Sequence, residues 1–250
     1  MNNFPQSEAR IAKDGPTGVP VGAAARDKNI WVVITAYQEA QTIAEVVRGA
    51  LLQSANVVIV DDGSTDDTLR EAHNAGAYVL RHLFNLGQGA ALQTGLTFAL
   101  SEGADLIVTM DADGQHNPAD ITRMAEKMAE AGADVALGNR FSGEAIGISW
   151  RRRFILKCAW IVIWLTSGVA VADSQIGLRI FSAEAARKLA ITQHRMAYAS
   201  ELIQQIHRLN LKTVDVPVTV TYTDYSIKKG QSGFNSINII IDLILGKFAK

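Results

Sequence analysis

The 250-residue chain is 48% hydrophobic and 20% charged, with 20 Gly and 5 Pro, which suits one large globular domain or two small ones. A formal net charge of −1 supplies no global basic field and argues against a nucleic-acid partner. The single cysteine, Cys158, excludes an internal disulfide framework and fits a reducing compartment.

Residues 1–28 are rich in Gly, Pro and polar side chains and lack the apolar core of a signal peptide, so they read as a flexible tail. From Ile30 to about Arg140, short Val/Ile/Leu-rich runs alternate with amphipathic stretches. "IWVVIT" (30–35), "NVVIVD" (56–61), "YVLRHL" (78–83), "DLIVTM" (105–110) and "DVALGN" (134–139) are expected strands. They do not alternate strictly, as strands buried on both faces of a parallel sheet do not need to. Helices are expected near 39–53, 66–76, 88–102 and 118–131. Ser64, Thr65 and Asp66 supply start signals for the second, Asn117-Pro118 for the fourth. This order predicts an α/β fold with a mostly parallel central sheet flanked by helices, and ligands at the carboxyl ends of its strands.

Beyond Arg140 the character changes. Arg151, Arg152 and Arg153 open an apolar run to residue 173 whose uncharged part, after Lys157, is roughly fifteen residues, where a membrane span needs about twenty. A helix lying in a membrane surface, basic at one end, is favoured there over a plain core helix. "GLRIFS" (177–182), a helix near 197–209 and "TVDVPVTVTY" (213–222) return to the sheet. The last stretch, 233–250, places Phe234, Ile237, Ile241, Ile244, Leu245 and Phe248 on one helical face; core packing and a membrane-surface role both fit it.

Two acidic clusters sit at expected strand ends. In "VTMDADGQHNP" (108–118), Asp111 and Asp113 stand at i and i+2, which in extended backbone point the same way and can face one cation. Their oxygens suit Mg²⁺ or Mn²⁺, which keep waters and complete their shell with substrate phosphates. A calcium loop is ruled out, because its sixth and twelfth positions would be His116 and Thr122 rather than Gly and Glu. In "VVIVDDGSTDDT", Asp61 and Asp62 end another strand, Gly63 permits a tight turn, and Ser64 or Thr65 is expected to cap the next helix. Asp66 and Asp67 read as first-turn acids favoured by the helix dipole. "NLGQGAALQTG" carries Asn85, Gly87 and Gly89 before a helix; Leu92 replaces the third glycine of a dinucleotide fingerprint, yet small residues there would let a substrate approach the backbone.

The ordered set "TAYQEA" (35–40), "VDDGSTDDT", "NLGQGAA" and "MDADGQHNP" resembles the family 2 glycosyltransferases, whose fold is called GT-A. With "DSQIGLRIFS" (173–182), it is similar within that family to the polyprenyl-phosphate glycosyltransferases, over roughly residues 30 to 225. The resemblance implies a catalytic domain over 29–232, including an interfacial helix at about 150–172, then the C-terminal amphipathic helix. It implies nucleoside contacts at Tyr37 and Glu39, a base contact at Asp61, and donor binding that also involves Asp62, Asn85 and Gly89. Asp111 and Asp113 match the metal and diphosphate motif, with Gln115 behind them. Arg140 matches a basic residue that meets the acceptor phosphate or diphosphate. Arg152 and Lys157 match further acceptor contacts in an unsettled register. Asp173 and Gln175 match a motif facing the reaction centre. Three positions depart from the family pattern: Thr35 and Gln38 replace the Pro and Asn of the first motif, and Gln88 replaces the usual Lys between the glycines.

The expected reaction moves a sugar from a nucleoside-diphosphate sugar, UDP favoured over GDP, to a polyprenyl phosphate, with inversion and with Mg²⁺ or Mn²⁺. Arg140 and Arg152, joined by Lys228 or Lys229 if that pair is not a solvated loop, would orient the acceptor phosphate. Asp173 would hold the metal, orient the acceptor or act as base; His116 would meet the diphosphate or satisfy its turn. Relatives often carry transmembrane helices after the catalytic domain, and the sequence to Lys250 shows none, so peripheral attachment to the inner membrane face is expected, with room for a separate membrane subunit. A polysaccharide or soluble acceptor is the alternative. A sugar nucleotidyltransferase would show a different first loop, and a receiver-like signalling domain would be about half as long with a single phosphorylated Asp.

Overall fold

The computed structural model describes residues 28–54, 56–146, 176–193 and 198–223. In chain order they form β1 (Ile30–Ala36), α1 (Ile43–Leu51), β2 (Asn56–Asp61), α2 (Thr68–Asn74), β3 (Tyr78–Arg81), α3 (Gln88–Ser101), β4 (Leu106–Asp111), α4 (Asp120–Ala131), β5 (Val135–Asn139), β6 (Ala145–Ile146), β7 (Arg179–Ser182), α5 (Ala183–Lys188), α6 (Tyr198–Arg208), β8 (Thr213–Pro217) and β9 (Val220–Thr221). The expected tail at 1–27 and the helices at 150–172 and 233–250 lie outside the described residues, as do Arg152, Lys157, Asp173, Gln175, Lys228 and Lys229.

The central sheet has the order β3-β2-β1-β4-β7-β5-β8. β1, β2, β3 and β4 pair in parallel, and β5 pairs with β8 in parallel. β7 runs antiparallel between β4 and β5, so the sheet is mostly rather than wholly parallel. Along β1 the side chains alternate faces. Val32 and Ile34 join a core with Ile43 and Val47 of α1 and Ile121 and Met124 of α4. Trp31 and Val33 join the other, with Leu92 and Leu96 of α3 and Leu202 and Ile206 of α6. Burial on both faces explains the near-continuous apolar strands; each such Val, Ile or Leu contributes about 1.5–3 kcal/mol by leaving water. Gly95 brings α3 close, because a Cβ there would overlap Val33.

β1 pairs with β2 on one side and with β4 on the other, and the chain leaves it in opposite directions across the sheet. Such a switch point opens a crevice at the carboxyl ends of the strands. Asp61 ends β2 and Asp111 ends β4, so the topology delivers both acidic clusters to this crevice.

Two expected strands end early. The run 78–83 stops at Arg81, because His82 turns its ring to Asp62. The run 213–222 breaks into β8 and β9, as Asp120 Oδ2 takes the Thr219 N–H at 2.7 Å and Val218 N donates to Asn139 O. β9 pairs instead with β6, and through Val220 with His116, which lays this two-stranded sheet against the turn after β4.

Candidate active site

The loops after β1 and β2 are stitched together by side chains. Gln38 holds a left-handed backbone, φ 57°, that a non-glycine residue adopts only when its surroundings fix it. Its N–H donates to Ser64 Oγ at 2.9 Å and its Nε2 to Thr65 Oγ1 at 2.7 Å. Glu39 N donates to Thr68 Oγ1 at 2.7 Å. Ser64 and Thr65 are thus spent on the neighbouring loop and neither caps α2; its N-cap position is Asp67, without a side-chain cap bond, and the Oδ1 of Asp66 accepts the Thr68 N–H. Tyr37 presents a half-exposed ring at the rim, while Glu39 is buried beside Thr42. Thr42 Oγ1 also donates to Ala112 O at 2.8 Å, tying this loop to the segment between Asp111 and Asp113.

The two acids after β2 have different surroundings. Asp61 is fully buried; Oδ1 accepts the Ser64 N–H, Arg81 Nε stands 3.6 Å from Oδ2, and Oδ2 receives no hydrogen bond among the described residues. A buried carboxylate oxygen in that condition calls for a donor. Asp62, expected beside the donor nucleotide, is hydrogen-bonded to the loop that follows β3. Its Oδ1 takes His82 Nδ1 at 2.8 Å and Leu86 N at 2.9 Å, and its Oδ2 takes Gly87 N at 2.7 Å. It clamps the loop 82–87, against which Gly63 packs at φ 75° with no room for a Cβ beside the Phe84 and Asn85 backbone. Asn85, on that loop, is exposed. Gly89 is closely packed: a Cβ would overlap Gln193 O and lie 2.9 Å from Tyr198 Cβ.

Asp111 and Asp113 are brought together differently from the expected strand alternation. β4 ends at Asp111, and Asp113 lies in the turn that follows, just before Gly114 at φ 75°, close enough to feel the Asp111 charge. Asp113 Oδ1 accepts the Gln115 N–H at 3.0 Å, and Gln115 O accepts Thr221 N, so β9 steadies the turn. Asp111 Oδ1 accepts Gln88 Nε2 at 2.9 Å, and His116 Nε2 lies 3.3 Å from Oδ2. His116 therefore faces Asp111, while its Nδ1 is buried without a hydrogen bond among the described residues. Gly177 is small because a Cβ there would overlap the Asp111 carboxylate.

Electrostatics separate the pair. Burial, the largest influence on Asp111, would raise its pKa, but the hydrogen bond and field of His116, with Arg179 and Arg140 beyond, hold it below the ordinary 3.8. Asp113 is pushed up to about 6, first by burial and then by the charge of Asp111. Tyr198, buried and close to the same negative charge, is pushed up to about 12, so it stays a neutral phenol and hydrogen-bonds Arg179. Arg179, 1% exposed in β7, lines a cavity on the scale of a single water with Thr35, Gln88, Asp111, Gly177 and Tyr198. Arg140 follows β5, and its Nη1 donates to Tyr222 Oη at 3.0 Å.

Tyr198 lies outside the motifs, and Gly177, Arg179 and Tyr222 lie in quoted runs with no role assigned to them. The one local signal was a charged residue inside the apolar run "IGLRIFS". Two adjacent hard-oxygen carboxylates, one already disfavouring its own charge, fit a divalent cation that takes its other ligands from water and phosphate. Among the described residues no group of three or more His, Cys, Asp or Glu is placed to hold a metal ion.

Fold and site together define a glycosyltransferase of the GT-A type. The family model described as Glycosyl transferase family 2 matches residues 31–190, and the chain belongs to that family. It is 31% identical to the UDP-N-acetylglucosamine–dolichyl-phosphate N-acetylglucosaminyltransferase of Methanococcus voltae, over 90% of this chain and 98% of the relative. It is 29% identical to the polyprenol monophosphomannose synthase of Mycolicibacterium smegmatis, over 82% of this chain and 81% of the relative. In fold alone it resembles the crystal structure of glucosyl-3-phosphoglycerate synthase from Mycobacterium tuberculosis with Mn²⁺ and UDP-glucose, with a TM-score of 0.67 at 19% identity, covering 91% of this chain and 84% of that one.

Proposed function

We propose that the protein is a metal-dependent, inverting glycosyltransferase that moves a sugar from a nucleoside-diphosphate sugar to a polyprenyl phosphate at the inner membrane face. The observation that carries the reading is the crevice itself, where a buried Asp61 oxygen in want of a donor shares one sheet edge with the Asp111–Asp113 pair. Asp61 would accept a base N–H, with Tyr37 and Glu39 around the nucleoside. UDP is favoured over GDP, in keeping with the UDP-sugar named for the Methanococcus relative. Asp111 and Asp113 would hold Mg²⁺ or Mn²⁺, with Gln115 fixing Asp113. When bound, such an ion stabilises the charge that develops on the diphosphate leaving group.

A lipid phosphate is already anionic near neutral pH, since the second pKa of a phosphate monoester is about 6. The protein then needs cations to orient the acceptor more than a strong base. Arg140, aimed by Tyr222, takes that role, with Arg152, Lys157 and Lys228 as further candidates and Asp173 facing the reaction centre. Direct displacement by the acceptor oxygen inverts the anomeric carbon. The dolichyl phosphate named for one relative and the polyprenol monophosphomannose named for the other support this choice. No helix among the described residues is long and apolar enough to cross a membrane. Attachment is assigned, on the sequence pattern, to the segments at 150–172 and 233–250, with or without a membrane subunit.

Thermal-shift measurements with UDP and GDP, with Mn²⁺ or with EDTA, test the donor site. UDP should stabilise the protein only with metal, and Asp113→Ala should abolish the shift; equal shifts in EDTA would remove the cation from the reading. Transfer from labelled UDP-sugars to undecaprenyl phosphate, set against soluble and polysaccharide acceptors, tests the other half. Flotation with anionic vesicles at low salt reads out membrane attachment.

A further inference from the structure

Two of the three positions at which the chain departs from its family's motifs, Thr35 and Gln88, come together on Asp111. Thr35 is the partner of Asp111 across the β1–β4 ladder. Gln88 opens α3 and reaches over both: its Nε2 lies 2.9 Å from Asp111 Oδ1 and 3.5 Å from Thr35 Oγ1. The second distance is at the outer limit of a hydrogen bond, so the bond to Asp111 does the orienting and Thr35 flanks it. All three line the small cavity above Arg179 and Tyr198.

We infer that Gln88 is a positioning residue that sets the rotamer of Asp111 as a neutral donor, making nucleoside-diphosphate binding depend on the divalent ion. The inference rests on the donor reading proposed above. A carboxamide supplies N–H donors without charge, whereas an ammonium at the same place would pair with Asp111 or with the diphosphate itself. With Gln88 on Oδ1 and His116 beside Oδ2, the Asp111 carboxylate is held from both sides and keeps its full negative charge for a cation. Arg140, which donates to Tyr222, and Arg179, buried against Tyr198, act on Asp111 through space, and neither stands at position 88. With a neutral side chain at position 88, a larger share of diphosphate neutralisation falls to the metal.

The test compares the full-length protein with Gln88→Leu, Gln88→Lys and Thr35→Val, each checked for an unchanged thermal melt. Mn²⁺ affinity is read by electron paramagnetic resonance and UDP affinity by calorimetry, with and without EDTA. Gln88→Leu should weaken Mn²⁺ and Mn²⁺-dependent UDP binding about tenfold, the cost of one hydrogen bond to a charged group. Gln88→Lys should weaken Mn²⁺ but raise UDP affinity in EDTA about tenfold. Thr35→Val should change either by less than about threefold, consistent with its long contact. Leu and Lys variants within twofold of wild type on every reading would overturn the inference while leaving the donor site intact. Wild-type protein that binds Mn²⁺ but no nucleoside diphosphate would overturn the donor reading itself, and a Gln88→Leu defect in Mn²⁺ affinity alone would still uphold the orienting of Asp111.

Discussion

Replacing Asp62 by alanine should cost stability rather than nucleotide affinity. Its carboxylate, almost fully buried, accepts three hydrogen bonds: His82 Nδ1 at 2.8 Å, Leu86 N at 2.9 Å and Gly87 N at 2.7 Å. A net hydrogen bond to a charged group is worth about 1.5–3 kcal/mol, and a buried donor left unmade costs a similar amount. Leu86 is 42% exposed, so water can recover much of its donor, but Gly87 is buried and the His82 side chain nearly so. Counting the last two in full and the first at a fraction gives a loss of about 3–5 kcal/mol for Asp62→Ala. For a domain of this size that is on the order of 10 °C in melting temperature. Asp62→Asn keeps one good acceptor and should lose about half as much. Urea unfolding at constant slope, followed by fluorescence of the tryptophans, measures both variants. A loss below about 1 kcal/mol for Asp62→Ala would refute the clamp. So would a normal melt with selectively weakened UDP binding, which would return Asp62 to the donor pocket.

Gly177→Ala forces a Cβ into the Asp111 carboxylate, the flexible tip of a side chain, so the carboxylate and not the fold should yield. Activity should fall by up to about 100-fold, the effect of roughly 1 Å of misplacement, with little change in melting temperature; an equal loss of both would show that the backbone moved instead. The raised pKa of Asp113, about 6 against 3.8, has two consequences of defined sign. Between those values the native protein holds a proton that the unfolded chain has released, so this group's contribution to stability falls as pH rises through the window. Divalent-ion binding runs the other way, weakening about tenfold from pH 7 to pH 5 as Asp113 takes up its proton; Mn²⁺ titrations at the two values that agree within twofold would contradict it. Tyr222→Phe removes the acceptor of the Arg140 hydrogen bond and should raise KM for the lipid phosphate several-fold while leaving UDP affinity unchanged; an effect on UDP alone would detach Arg140 from the acceptor.

Much of the layout was legible because its causes are local. Apolar runs of five or six residues between capped amphipathic stretches dictate strands and helices, and strand-then-helix order dictates a parallel sheet with its ligand edge at the carboxyl ends. Asp61, Asp111 and Asp113 could be placed at that edge from the ends of those runs. The antiparallel entry of β7 was not legible, because it depends on how the chain returns from residues far away in sequence. The contacts that decide roles were hidden for the same reason. Asp61 and Asp62 are neighbours of identical chemistry, yet one keeps an oxygen open and the other is consumed by the 82–87 loop.

The amino-acid order by itself therefore determined which segments form strands and helices and where carboxylates gather, since backbone preference and hydrophobic period act over a few residues. Only the folded chain decided which carboxylate ionises more easily, which ionises less easily and which is hydrogen-bonded to the 82–87 loop. Those outcomes depend on Arg179, Tyr198, His116 and Gln88 arriving from separate elements around Asp111, where burial and nearby charge act through space rather than along the chain.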